Sequence, residues 1–194
     1  MNPSLLQQDQ LGDLRGRVSG TVVAADDSGY DEARTIWNGM IDRRPWAVVR
    51  AAGAGDVAPT IEFARKYGLD LAVRGGGHNV AGNGTVEDGL VLDLAGLHAV
   101  LVDPSAATVR VEAGATLAHI DAATEPHGLV VPIGVVSSTG IAGVTPTRAA
   151  AVRRQPGLRA GPVAAGVGGA GGVDAGPAGR NDGDHDDADP AAGR

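Results

Sequence analysis

The chain has 194 residues, a formal net charge of −7, 3% aromatic residues and no cysteine. Its length suits one ordinary domain with a core of its own, built from Val, Leu, Ile and Ala for want of aromatics. The acidic balance excludes a basic nucleic-acid groove, and the missing thiols exclude a disulfide framework, a thiolate metal site and a redox dithiol.

No stretch approaches ~18 consecutive apolar residues, so no membrane partner is expected. The segment Met1 to Asp9 lacks the basic and apolar regions of a secretory signal, so the expected location is the cytoplasm. Residues 1–29 are read as an N-terminal lead-in segment. Asp31 to Met40 reads as a short helix, with Ile36 and Met40 four apart on one face. Ala47 to Ala51 is a short apolar run of the buried-strand kind. Gly53-Ala54-Gly55 turns it, and Asp56 is the expected N-cap of a helix carrying Val57, Ile61, Ala64 and Tyr67 at helical spacing. Gly68 closes that helix, and Leu69 to Val73 is the next strand. A strand–helix–strand order of this length is the parallel βαβ unit.

The run Arg74-Gly75-Gly76-Gly77-His78-Asn79 follows that strand directly. Three glycines leave the main chain bare, so a bulky anion can lie on its N–H groups. Arg74 is either a charge partner for such an anion or a surface residue at the strand end. His78 offers a ring nitrogen, and Asn79 either satisfies loop backbone or touches the ligand. A dinucleotide Rossmann site is the rival reading, and it ranks below because neither Gly75–Val80 nor Gly53–Ala58 supplies the last glycine of Gly-x-Gly-x-x-Gly. A Gly-x-Ser-x-Gly nucleophile elbow is also absent.

Gly89 to Leu94 and His98 to Asp103 read as strands, and Thr108 to Ala113 alternates as a half-exposed strand does. Pro104 to Ala107 is the hairpin turn between the last two. Thr116 caps a helix expected from Leu117 to about His127, ended by Gly128. Leu129 to Gly134 is extended and apolar, and Ser137 to Gly140 is a polar loop. His98, His119 and His127 show no metal-ligand spacing, so no metal site is expected. The order implies a small parallel unit followed by a more antiparallel one, an α+β fold.

Composition changes abruptly near Thr145. Residues 146–194 lack Trp, Tyr, Phe, Ile and Met, and 28 of those 49 residues are Ala, Gly or Pro. So little bulky apolar surface cannot offset ordering entropy, and the segment is read as a disordered low-complexity tail.

From Tyr30 to Thr145 the sequence resembles the PCMH-type FAD-binding domain of the berberine-bridge-enzyme-like FAD-linked oxidoreductases. The resemblance rests on Ala47-Val48-Val49-Arg50-Ala51, on Arg74 to Gly82, on Leu90-Val91-Leu92-Asp93-Leu94, on Val111 to Ala115, and on Pro132 to Gly143. Two glycine loops with this intervening pattern are more specific than either alone. The resemblance implies the PCMH-type α+β fold, with residues 30–145 as a partial domain. It implies that Arg74, Gly75, Gly76, Gly77, His78, Asn79 and Gly82 wrap the FAD pyrophosphate. Gly134, Ser137, Ser138, Thr139, Gly140 and Gly143 would lie against flavin and pyrophosphate.

In that family a histidine in the place of His78 commonly carries the flavin covalently, and many members add a cysteine tether from the second loop. Val136 stands there and the chain has no Cys, so a double tether is excluded. A single link through His78, or tight non-covalent binding, both stay open. The implied function is the N-terminal part of an FAD-dependent oxidase or dehydrogenase. The alternative is an FAD-binding fragment that does no chemistry alone, since the family's substrate domain and catalytic base are not expected in these residues. Ala149-Ala150-Ala151 stand near where the family has three glycines, and GGC codons read one base out of phase become GCG. A frameshift near codon 145 is therefore the expected origin of the tail.

Overall fold

The computed structural model describes residues 8–144 and the backbone of residues 153–154. Four short strands form one sheet in the order β1 (Thr21–Ala24), β2 (Ala47–Arg50), β4 (Leu90–Asp93), β3 (Leu71–Arg74). β1 runs antiparallel to β2, while β2 and β3 both run parallel to β4. The period of two sorts the strand residues to opposite faces. Ala47, Val49, Leu90 and Leu92 pack on Leu11 and Leu14 of α1 (Gln8–Arg17) and on Phe63 and Ala64 of α3 (Val57–Tyr67). Val48, Val91 and Ala72 pack on Tyr30 and Ala33 of α2 (Tyr30–Arg34). β2 and β4 are thus covered on both faces, which is why they read as unbroken apolar runs.

The strand–helix–strand unit forms as the sequence implies, and Gly68 ends α3 with φ 64°. Four features differ from expectation. The lead-in segment 1–29 supplies α1 and β1, whose Leu11, Leu14 and Val22 belong to the same core, so that core begins well before Tyr30. β4 inserts between β2 and β3 and so joins the parallel sheet. The helix expected over 31–40 stops at Arg34: Thr35 is extended, Ile36 is buried and Met40 is 92% exposed. It stops because the Trp37 N–H, which a continuing helix would give to Ala33 O, goes to Gly77 O, while Arg74 takes the carbonyls of Ala33 and Thr35. Asp56 stands at the start of α3 without capping it. Its carboxylate accepts from the N–H groups of Ser19 (2.7 Å), Gly20 (3.0 Å) and Ala52 (2.8 Å), so it ties the α1–β1 turn to the end of β2.

The second unit opens with the antiparallel hairpin β5 (Val100–Asp103) and β6 (Thr108–Val111). α4 (Leu117–Thr124) follows, then a 3₁₀ turn over Glu125–His127 that ends at Gly128 with φ 62°. The expected helix is shortened here because Pro126 brings no N–H to the α-helical ladder. β7 (Leu129–Val130) pairs antiparallel with β8 (Arg153–Arg154), and α5 spans Ile141–Val144. Ala115, Leu117, Ile120, Leu129, Val131 and Ile141 form this unit's core. Apart from the backbone of β8, the segment 146–194 read as a disordered tail lies outside the described residues. Among the described residues, no helix is long and apolar enough to cross a membrane, and no group of three or more His, Cys, Asp or Glu could hold a metal ion.

Candidate functional site

β3 delivers the first glycine loop, and two devices fix its point of departure. Arg74 is buried at 6% exposure and pairs with Asp93 at the end of β4, with Nη2 2.7 Å from Oδ2. The same guanidinium donates to Ala33 O at 2.6 Å and Thr35 O at 3.2 Å. Of the two sequence readings, the surface residue is therefore overturned, and the charge partner proves to be Asp93. The side chain is drawn inward because a buried guanidinium needs a carboxylate and carbonyls around it. Its effect on the loop is to fix where the loop leaves the sheet.

The second device is the segment after α2. The Trp37 N–H donates to Gly77 O at 3.3 Å, and Asn38 Nδ2 donates to Val80 O at 2.8 Å. This strut lies beside the loop and brings the Trp37 ring onto the His78 ring, with centroids 5.3 Å apart and planes 22° apart. Sequence reasoning did not single out Trp37 or Asn38. No sequence signal marks either, because Ile36, Met40 and Ile41 around Trp37 read as an apolar face; its 61% exposure in the structure is what sets it apart.

The second glycine loop reaches the same place from the other unit. Thr116 bridges to Gly140, Leu117 N–H donates to Thr139 O, Ala118 N–H donates to Ser137 O, and Ile141 N–H donates to Ala115 O. These bonds hold residues 137–141 along the start of α4. The two loops then touch main chain to main chain: a Cβ built on Gly76 would fall 2.8 Å from Gly140 Cα and 3.0 Å from Ser138 O. Gly75 backs onto Ala113 O and Ala142. Across this seam Ser138 Oγ lies 2.8 Å from His78 Nε2. Residues sixty positions apart thus share one hydrogen bond.

The expected residues separate into three groups. Gly75, Gly76, His78, Ser138 and Gly140 converge at the seam, and Gly77 beside them turns the chain with φ 69°. Asn79 and Gly82 shape the following turn: Asn79 Oδ1 accepts from Asn83 N–H, Gly82 N–H donates to Asn79 O, and Gly82 packs on Ile41. Ser137 and Thr139 engage α4 through their carbonyls. Gly134 faces the Leu117 side chain, and Gly143 faces open space in α5.

Among the described residues, the N–H groups of Gly75, Gly76, Gly77, His78 and Asn79 have no hydrogen-bond partner. Gly75 to His78 are half-buried and Asn79 is exposed, so five successive donors that the protein does not engage are open to the acceptor atoms of a ligand. With glycine at three of the five, an anionic oxygen can come close to that main chain. The local charge is not supplied by Arg74, which Asp93 neutralises, so the attraction is that of the amide dipoles. These features fit a diphosphate-bearing cofactor.

A profile of the FAD binding domain family matches residues 45–161. The chain belongs to this family, and FAD is its cofactor. It is similar to (R)-6-hydroxynicotine oxidase of Paenarthrobacter nicotinovorans, with 33% identity over 127 residues, 66% of this chain and 28% of that protein. In three dimensions it is similar to 6-hydroxy-D-nicotine oxidase from Arthrobacter nicotinovorans, with a TM-score of 0.62 and 33% identity over 63% of this chain and 27% of that one. The wild-type BBE-like 1 protein of Physcomitrella patens aligns with a TM-score of 0.62 and 26% identity, covering 69% of this chain and 29% of that one. The chain thus spans under a third of the length of these relatives.

Proposed function

We propose that the seam between the two glycine loops seats the FAD pyrophosphate, and that the chain serves as the cofactor-binding part of an FAD-linked oxidoreductase. The observation that carries this reading is the run of five unmet N–H groups beside His78. In this reading Gly75, Gly76 and Gly77 hold the pyrophosphate, and His78 faces the flavin ring and carries it covalently. Asn79 and Gly82 keep the first loop in shape. Gly134, Ser137, Ser138, Thr139, Gly140 and Gly143 form the opposing wall, and Arg74 sets the loop without touching the cofactor. FAD supplies hydride chemistry when bound; these residues orient it. The location carried with this reading is the cytoplasm, to be checked by fractionation.

Titrating the purified chain with FAD, by flavin fluorescence and the visible spectrum, tests the site. Saturable binding that weakens in His78→Ala supports it. A folded chain that takes up no FAD overturns it. Acid precipitation tests the covalent link: flavin that stays with wild-type protein and leaves His78→Ala supports the attachment. Bound flavin that stays oxidised with every substrate offered identifies a binding module, whereas substrate-dependent bleaching identifies an oxidoreductase.

A further inference from the structure

His78 is held on two sides. The Trp37 ring fixes its plane from one face, at 5.3 Å and 22°, and Ser138 holds one edge at Nε2, 2.8 Å away. Among the described residues, Nδ1 has no partner. A neutral imidazole carries one N–H and one lone pair, and the partner of one nitrogen decides which it bears. A serine hydroxyl can either donate or accept, so geometry alone leaves the tautomer to chemistry. The reading of His78 as the flavin's attachment point supplies that chemistry. Attachment needs a lone pair at the free nitrogen, which requires the hydrogen to sit on Nε2.

We propose that Ser138 is a positioning residue for His78: its Oγ accepts the Nε2–H, fixes the Nδ1 lone-pair tautomer, and turns that nitrogen toward the cofactor. This rests on the attachment reading above. It assigns a role to the second glycine loop beyond backing the pyrophosphate, because the loop that closes the seam also sets the chemistry of the first loop's histidine. Ser138 is exposed, so its replacement leaves the core untouched. Trp37 restricts the ring to one plane, and Ser138 then selects which edge faces outward.

The test is ¹⁵N-detected imidazole NMR on the FAD-free chain at pH 8, where an ordinary histidine is neutral. Wild type is expected to show a protonated Nε2 and a bare Nδ1 at His78. In Ser138→Ala the Nε2–H to Nδ1–H ratio is expected to fall about fivefold, the factor a typical neutral hydrogen bond contributes. Ser138→Thr, which keeps the hydroxyl, is expected to restore the wild-type ratio. An unchanged ratio in Ser138→Ala, or a wild-type His78 protonated on Nδ1, overturns the proposal. Acid-stable flavin is measured in parallel on the same three proteins. Wild-type protein without acid-stable flavin refutes the attachment reading alone, while the tautomer ratio still decides the role of Ser138.

Discussion

Replacing Gly76 by alanine tests whether the seam is built on backbone contact. The added Cβ would meet Gly140 Cα at 2.8 Å and Ser138 O at 3.0 Å, with the Gly140 nitrogen closer still. All three are main-chain atoms, so no side chain can swing away. Restoring an ordinary contact of about 3.4 Å from the Gly140 nitrogen, the nearest of the three, requires the loops to part by about 1.1 Å. That displacement would carry the 2.8 Å bond between Ser138 and His78 to about 3.9 Å, where it ceases to be one. Overpacking of this kind costs about 1–3 kcal/mol, which lowers Tm by roughly 2–8 °C per kcal/mol for domains near this size. The same movement spoils the alignment of the unmet N–H groups, so FAD binding is expected to weaken about tenfold. Gly12→Ala is the control, because a Cβ there meets nothing within 4 Å and replaces glycine in α1, away from both loops. It is expected to leave FAD affinity unchanged and stability equal or slightly raised. Thermal melts followed by circular dichroism, with FAD titrations on all three proteins, make the comparison. A Gly76→Ala protein that melts and binds as wild type does would refute the reasoning.

Arg74→Ala leaves Asp93 buried at 7% exposure without its cation and frees the carbonyls of Ala33 and Thr35, so a loss of about 3–5 kcal/mol is expected in urea unfolding. Arg74→Ala that unfolds as wild type does, but fails to bind FAD, would reinstate a direct cofactor contact. At Asp56, burial raises the carboxyl, but the N–H donors of Ser19, Ala52, Gly20 and Gly53 outweigh it and hold it below the ordinary carboxylate range. A depressed folded pKa gives stability above the unfolded pKa of about 3.9, lost as pH falls through the folded value. Asp56→Asn is therefore expected to unfold more easily at neutral pH and to lack that part of the acid-induced loss; parallel urea midpoints between pH 7 and pH 3 check this. Sequencing across codon 145 is expected to show, one base out of phase, three glycine codons in place of Ala149 to Ala151. A neighbouring frame without them removes the frameshift account of the tail.

Much of this fold is written locally. β2, α3, Gly68 and β3 follow from an apolar run, a helical period and a glycine forced to positive φ. The hairpin of β5 and β6 follows from alternation on either side of Pro104. The glycine loops are equally plain, since few other residues leave main chain bare. What escaped is long-range. Nothing in Leu90 to Asp93 says that it slides between two earlier strands, and Thr21–Ala24 is too short to announce an edge strand. Asp56 looks like a cap from its neighbours alone, yet two of its partners lie 36 and 37 residues back. Arg74 looks like a phosphate ligand by its place before three glycines; only the arrival of Asp93, nineteen residues later, turns it inward. The meeting of His78 with Ser138 depends on both units and is invisible in either.

The order β1-β2-β4-β3 also has a consequence for synthesis. β3 pairs with β4 alone, and β4 comes later in the chain. A nascent polypeptide that has just left the ribosome as far as Asn79 therefore holds β1, β2 and α3 but has no neighbour for its last strand. Only when Leu90–Asp93 emerges can β3 be clamped and Arg74 find its counter-ion. Competence to receive cofactor must then wait until the second half of the seam, through Ile141, has also been made.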